Sequence, residues 1–557
     1  MDNFKNTLYY GDNLEILREY IPDESVDLIY LDPPFNSKKA YNIIFKDKSG
    51  RYPPSQIKAF DDTWHWSEET EQVMWELHQS QYPPELVRML DSMRNFLGTS
   101  DMMAYLVMMA IRLWELHRVL KPTGSIYLHC DPTASHYLKI LMDQIFGVKN
   151  FRNEIIWKRT FAHNDPKRFG NNYDVLLFYT KSDKYTFNRV YVPYSKDYIE
   201  RFFRHEENGR RYQLITLTGP KASSGESGKP WRGYNPSARN RSWSVPKRIV
   251  NRLVGEEKAK KMSIIERLEL LYRHGYIVFS KKGVPRLKQF LDEMPGAPAQ
   301  AIWDDIPPVS AHSKERLGYP TQKPLALLER IIKASSNEGD IVLDPFCGCG
   351  TAVVAAEKLS RKWIGIDITI LAINLIEKRL KEHFPDVKYD VIGLPKDLPS
   401  AKKLAETREG KFLFEQWFIT SLGGQPYKSA GGADTGIDGF MYFKDIDGLT
   451  RTIIISVKAG NYGPSAIRDL KGVLEREHAD MGLLLALKPP SRKTIEEAVS
   501  AGLFHMPGTS RTYPRIQIFT AQEYFEGKRP NIPDVSDTLK KAKRQIRERE
   551  KPQKLNL

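Results

Sequence analysis

The stretch Val26-Asp27-Leu28-Ile29-Tyr30-Leu31-Asp32-Pro33-Pro34-Phe35 carries the most specific chemistry in the chain. Val, Leu, Ile and Tyr in one run suit a buried strand. Pro33 and Pro34 then fix φ, remove two backbone donors and force the chain out of the ladder. The Asp32 carboxylate and the neighbouring carbonyls are left as fixed acceptors beside the Phe35 ring, a clamp for an amino group on a planar heterocycle.

A second constellation lies between Asp340 and Asp367. Ile341-Val342-Leu343-Asp344 reads as a short buried strand, Pro345-Phe346-Cys347-Gly348-Cys349-Gly350-Thr351 as a tight turn, and Ala352 to Leu359 as an Ala-rich helix. Trp363-Ile364-Gly365-Ile366-Asp367 then forms a strand with an acid at its end. Glycines in a βαβ turn, with an acid roughly twenty residues on, form the nucleoside-binding pattern: backbone approaches the ligand and the acid takes ribose hydroxyls. A third glycine at the dinucleotide position is missing, which argues against a pyrophosphate ligand. Gly228-Lys229 is followed by Pro230 where a phosphate loop needs Ser or Thr, so no nucleotide-driven motor is expected.

A third group is C-terminal: Glu415 on an amphipathic segment, Asp438 within Gly436-Ile437-Asp438-Gly439, and Lys458 ending the apolar strand Thr452 to Lys458. A carboxylate followed by such a strand ending in Lys can hold a divalent metal and position water against a phosphodiester.

The elements that must position these groups follow an α/β rhythm. Residues 7–35 read strand, helix, strand, and Asp12 in the Gly11-Asp12 turn suits a helix cap as well as a ligand contact. The polar and aromatic stretch 36–98 suits a lid or a helical surface insertion. Met102 to Leu120 has helical spacing, stops at Lys121-Pro122-Thr123-Gly124, and leads into the strand Ser125 to His129. His129 and Asp131 sit at that strand's end, where open α/β sheets place ligands, although a lone His there is first a structural residue. Between 151 and 295 the rhythm fades and basic and aromatic residues interleave, most densely at Trp157-Lys158-Arg159, Trp231-Arg232-Gly233-Tyr234, Arg239, Arg241 and Trp243. Arginine forks read guanine edges and phosphates, and aromatic rings stack on bases.

A chain of 557 residues with a net charge of +15 implies several modules and a polyanionic partner, nucleic acid before membrane. Cys130, Cys347 and Cys349 lack the spacing of a disulfide framework or zinc site. The N-terminus lacks a signal peptide's regions and the apolar runs fall short of a membrane span, so the expected location is cytoplasmic.

Together, Asp32-Pro33-Pro34-Phe35 and Phe346-x-Gly348-x-Gly350 resemble the exocyclic amino-methyltransferases of DNA, which move a methyl from S-adenosylmethionine to adenine N6 or cytosine N4. The catalytic tetrapeptide precedes the cofactor loop and a recognition region lies between them, the order of the β subgroup. Tyr319-Pro320-Thr321-Gln322-Lys323-Pro324 supplies a third motif, and the resemblance spans roughly residues 7–395. It implies a Rossmann-like α/β methyltransferase with permuted motif order over residues 1–395, with an inserted target-recognition region at about 151–295. It implies catalysis by Asp32, Pro33, Pro34 and Phe35, and cofactor contacts from Asp12, Thr321, Lys323, Asp344, Phe346, Gly348, Gly350 and Asp367. Adenine N6 is a poor nucleophile hidden in the duplex, so the base must be flipped out and stacked on Phe35. Asp32 and the Pro33 carbonyl then accept its amino hydrogens. Asp first in the tetrapeptide, where cytosine enzymes more often carry Ser, favours adenine.

The C-terminal third resembles the Mrr-like branch of restriction endonucleases, an α/β fold of the PD-(D/E)XK type. Residues 396–410 read as a linker, 411–530 as this domain and 531–557 as a basic tail. The resemblance makes Asp438, Lys458 and Glu415 catalytic, with Asp438 and Glu415 holding Mg²⁺. Ser456 departs from the Glu or Gln usual at its position, and a hydroxyl is a weaker metal ligand. The expected whole is an adenine-N6 methyltransferase of double-stranded DNA fused to an endonuclease, a single-chain restriction-modification or defence enzyme. A homodimer is compatible with the β subgroup. The alternatives are cytosine N4 as target, or a C-terminal module that binds DNA without cutting it.

Overall fold

The computed structural model describes residues 4–34, 40–43, 57–61, 65–79, 81–161, 167, 169–310, 313, 315–317, 319, 321–427, 436–445 and 449–533. Phe35, the ring expected to stack on a base, and 534–557 of the basic tail lie outside them. The chain divides into two compact units, residues 189–300 and the remainder.

The larger unit is built on a sheet of nine strands among the described residues. They are β1 (Asn6–Tyr10), β2 (Val26–Leu31), β3 (Leu120–Cys130), β4 (Phe151–Lys158), β5 (Tyr173–Thr180), β6 (Ile302–Trp303), β7 (Ile341–Asp344), β8 (Lys362–Asp367) and β9 (Tyr389–Ile392). Their order is β6-β4-β5-β3-β2-β7-β8-β1-β9. The pairs from β3 through β9 are parallel, and β5 runs antiparallel to both β3 and β4. Parallel strands covered on both faces need side chains that bury on both sides, which is why β2 and β7 are almost continuously apolar. Alternation sorts them: Leu28 and Tyr30 enter one core, Ile29 and Leu31 the other.

Helices pack against both faces. α1 (Asn13–Tyr20) follows β1, and α2 (Asp101–Val119) is capped by Ser100, whose side chain accepts from the Met103 N–H. In α2 even Arg112 and Glu115 are buried. α3 (Leu325–Ser335) precedes β7, α4 (Thr351–Lys358) joins it to β8, and α5 (Ile370–His383) follows β8. Within 36–98, the helices Glu68–Leu77 and Pro84–Leu97 bury Met74, Leu77, Leu86 and Leu90 in the core that α2 shares.

The polar stretch 396–410 contains α6 (Leu398–Leu404) and opens α7 (Arg408–Ser421). Ala401, Ala405, Leu413 and Phe414 join the same hydrophobic core as Leu8, Tyr10 and Ile376. The C-terminal segment therefore packs on the first sheet. Among the described residues its main sheet has five strands, β10 (Gln425–Pro426), β11 (Gly439–Lys444), β12 (Thr450–Lys458), β13 (Met481–Ala486) and β14 (Ile516–Thr520), in that order across the sheet.

Residues 151–180 form β4 and β5 of the main sheet, and the separate unit begins only at 189. That unit holds an antiparallel sheet of His205–Glu207, Arg210–Thr216, Pro285–Phe290 and Ile277–Phe279, with the helices Lys247–Val254 and Ile264–Arg273. Trp231, Tyr234 and Trp243, read from sequence as rings for bases, are buried in its core. Arg232 pairs with Glu269 at 2.8 Å, and Arg241 donates to the Thr218 carbonyl at 2.7 Å. The aromatic and arginine interleaving holds this unit together. No helix among the described residues is long and apolar enough to cross a membrane.

Candidate active site

Four acids stand at or just past the C-terminal ends of adjacent parallel strands: Asp12 after β1, Asp32 after β2, Asp344 closing β7 and Asp367 closing β8. Strands end there because glycine and proline take over, and the chain's polar groups converge where the sheet no longer consumes them. The four line one cavity of about 240 Å³, with Tyr30, Pro33, Pro34, Arg112, Thr321, Lys323, Phe346 and Gly348 on its walls.

Asp12 fills both roles its sequence left open. It caps α1, accepting the Leu14 N–H at 2.8 Å, and its other oxygen accepts from Arg112 Nη2 at 2.8 Å. Arg112 also donates to Asn13 Oδ1 at 2.7 Å, and Asn13 Nδ2 to the Pro345 carbonyl at 2.8 Å. This clamp between α1, α2 and the glycine turn went unread in the sequence. Its signal was an arginine inside an otherwise greasy helix, a charge that must find a partner when buried.

The turn after β7 is shaped by Gly350, whose φ is +74° and whose Cβ, if present, would lie 2.5 Å from Ile376 Cγ1. Only glycine fits. Asp367 Oδ2 accepts the Gly348 N–H at 2.8 Å, while Oδ1 accepts the Thr369 N–H at 2.8 Å and hydroxyl at 2.7 Å. Burial pushes the Asp367 carboxyl up to about 6 despite these donors. Burial likewise raises Asp344 well above the carboxylate range, with the charges of Asp32 and Asp367 adding to it. Thr321, at φ +62°, holds a backbone conformation rare for a β-branched residue.

Lys323 is almost fully buried, and its ammonium donates to Asp32 Oδ2. Asp32 Oδ1 is buried with no hydrogen-bond partner among the described residues. One carboxylate oxygen is thus fixed by a cation, and the other is an acceptor in want of a donor. Behind Asp32, the Tyr30 hydroxyl lies 2.9 Å from His129 Nδ1, and His129 Nε2 lies 3.1 Å from Asp174 Oδ2. Asp131, by contrast, holds the turn before the helix Ser135–Phe146 by accepting from the Thr133 and Ala134 N–H groups, a structural task.

The donor set fits S-adenosylmethionine. Asp367 offers lone pairs for hydroxyls, Phe346 a ring, the glycine turn a close backbone wall, and Asp12 a carboxylate for an ammonium. Asp12, Thr321, Lys323, Asp344, Phe346, Gly348 and Asp367 line the cavity together, and Gly350 shapes the turn below it.

The C-terminal constellation does not assemble in the same way. Asp438 Oδ2 accepts the Val457 N–H at 2.6 Å and the Ser456 hydroxyl at 3.2 Å. The residue standing where a second metal-binding acid belongs is a donor to the first. Among the described residues no three acidic, His or Cys side chains converge to hold a metal. Glu415 lies on α7 near the buried Tyr10, whose hydroxyl its charge helps to raise after desolvation and Asp367. The expected Mg²⁺ site does not fit these residues, and no cleavage step is derived from Asp438, Glu415 and Lys458.

Comparison with known proteins agrees with the methyltransferase reading and corrects that of the C-terminal third. The family model of N6 and N4 methyltransferases, described as DNA methylase, matches residues 26–378. A second, described as NACHT-associated inactive Restriction Endonuclease 1, matches residues 411–526 and replaces the expected Mrr-like assignment. The chain is 28% identical to the Type II methyltransferase M.EcaI of Enterobacter cloacae over 67% of its own length and 69% of that protein. It is 26% identical to the StyLTI Mod subunit, a Type III restriction-modification enzyme of Salmonella typhimurium, over 65% of this chain and 51% of that one. It is 24% identical to the DNA adenine methyltransferase YhdJ of Escherichia coli over 68% and 83%. Among solved structures, the M1.HpyAVI–SAM complex aligns over 67% of this chain and 99% of its own, at 15% identity and a TM-score of 0.29.

Proposed function

The chain belongs to the N6 and N4 DNA methylase family, and from that premise we propose that it transfers a methyl group from S-adenosylmethionine to adenine N6 in double-stranded DNA. The observation that carries this reading is the gathering of Asp32, Lys323, Asp12 and Asp367 around one cavity. When bound, the cofactor supplies the methyl as an electron-poor sulfonium group.

The chain's residues do the rest. Asp367 and Asp12 hold the cofactor's hydroxyl and amino groups and Phe346 packs its ring. Asp32 Oδ1 and the Pro33 carbonyl accept the two amino hydrogens of the target base, concentrating the lone pair on nitrogen. Lys323 keeps the Asp32 carboxylate in one orientation, so that no reorganisation is needed as charge develops. An amine inside a duplex is out of reach of the cavity, so the target base is proposed to be taken out of the stack. Phe35 is proposed to stack on it. The Asp that opens the tetrapeptide favours adenine over cytosine, and the relative YhdJ carries the name of an adenine enzyme. Nucleoside analysis of DNA methylated by the purified chain tests this: N6-methyladenine is expected, and N4-methylcytosine would reassign the target.

For the C-terminal domain we propose a non-cleaving module fixed to the methyltransferase, which engages DNA or a partner of a defence system. The Ser456 hydroxyl on Asp438 favours this over a nuclease.

A further inference from the structure

Methylation of an exocyclic amine leaves a nitrogen that carries a positive charge and must shed a proton. Asp32 Oδ2 is already occupied by the Lys323 ammonium, and an Asp32 that kept the proton would lose that ion pair. The core beside Asp32 contains a better matched group.

Tyr30 lies two residues before Asp32 on the same face of β2 and lines the cavity with it. Its hydroxyl meets His129 Nδ1 at 2.9 Å, His129 Nε2 meets Asp174 Oδ2 at 3.1 Å, and Arg159 Nη1 lies 3.0 Å from Asp174 Oδ1. His129 is fully buried, Asp174 is 2% exposed, and the Trp157 ring stands edge-on to the imidazole. Burial alone would raise the Asp174 carboxyl, but the hydrogen bond from His129, with the charges of Lys323 and Arg159 adding to it, holds it below its usual range. An ionised carboxylate only accepts, so His129 Nε2 carries the hydrogen. In the neutral ring Nδ1 is then the acceptor, Tyr30 donates to it, and the Tyr30 oxygen keeps its lone pairs for the cavity.

We propose that Tyr30, His129 and Asp174 form the outlet for the proton released when the target amine is methylated. The inference rests on the amino-methyltransferase reading above. As the nitrogen–carbon bond forms, the S–C electron pair stays on the cofactor's sulfur. An N–H bond of the amine then breaks and its electrons return to nitrogen. The proton bonds to the Tyr30 oxygen while Tyr30's own proton passes to His129 Nδ1. The resulting imidazolium is held by the Asp174 carboxylate, and Arg159 balances the remaining negative charge. After product leaves, the shift reverses and water entering the cavity takes the proton. The imidazole pairs with Tyr30 from β2 and Asp174 from β5, and Arg159, just past β4, and Lys323, before α3, act on Asp174.

Two measurements on the full chain test the outlet. In ¹⁵N-histidine-labelled protein, with the resonance assigned by H129N, His129 should show a bare Nδ1 and a protonated Nε2, and Y30F should shift the Nδ1 signal. In single-turnover methylation followed across pH, Y30F and H129N, scaled to their cofactor-binding fraction, should be slower than wild type by roughly 10²-fold and differ from it in pH profile. A protonated Nδ1, or variants that follow wild type across the pH range, would overturn the outlet while leaving the methyltransferase standing. Wild type that methylates no DNA would remove both.

Discussion

Lys323 and Asp32, 291 residues apart, form a largely buried ion pair in the wall of the cavity. The pair joins the Thr-Gln-Lys-Pro motif to the tetrapeptide, so a residue expected to touch cofactor instead holds the acid proposed to face the base. Removing one partner of such a pair strands the other charge, which costs about 3–5 kcal/mol in other proteins. Lys323→Met should therefore lower stability in urea by about that amount and reduce methyl transfer at least as much as cofactor binding. Lys323→Arg should recover part of the rate. Cofactor binding lost while transfer by the bound fraction stays normal would return Lys323 to the cofactor.

Asp367 gives a pH signature. Its carboxyl stands at about 6 in the folded chain, above the unfolded value near 4, so the native state binds the extra proton between those limits. The apo protein should lose stability as pH rises from about 4 to about 6. Cofactor hydroxyls prefer the ionised acid, so affinity should improve about tenfold between pH 5 and 7. Isothermal titration of wild type and D367N checks this, and an equal slope in both would reject Asp367 as the controlling group.

The Tyr10 hydroxyl donates to the Leu413 carbonyl at 2.8 Å inside a shared core, one residue before the Gly11 N–H that meets the Asp367 carbonyl at 3.1 Å. The C-terminal segment is therefore part of the wall behind the cofactor acid. Calorimetry should show 1–188 and 301–557 melting together, and a chain ending at 395 should aggregate or bind cofactor more weakly. A truncated chain with full affinity and stability would contradict this packing.

Asp438 should not support hydrolysis. With Mg²⁺, the full chain should leave both methylated and unmethylated plasmid DNA intact, and D438A should change only the stability of the strand beside Val457 and Ser456. Cleavage lost in D438A would restore the nuclease reading.

The βαβ turn, the strand leading into the tetrapeptide and the helix Asp101–Val119 were legible in the sequence because their signals are local: apolar runs and glycine and proline punctuation. Interactions between distant residues were less legible. Nothing adjacent to Arg112 indicates Asp12, and nothing near Lys323 indicates Asp32. Trp231 and Trp243 looked like binding rings because arginines surround them, yet those arginines stack and pair around a small core that needs large side chains to fill it. The stretch 396–410 looked like a linker by polarity, but Ala401, Ala405 and Leu413 supply a narrow apolar stripe that is enough to seat two helices.

The central claim is that Asp32 activates the amine of a DNA base. Transfer of a labelled methyl group to DNA by Asp32→Ala, beside its cofactor affinity, tests it most directly. The expected result is transfer reduced to background with cofactor binding within a few fold of wild type. Transfer at the wild-type rate would contradict the account.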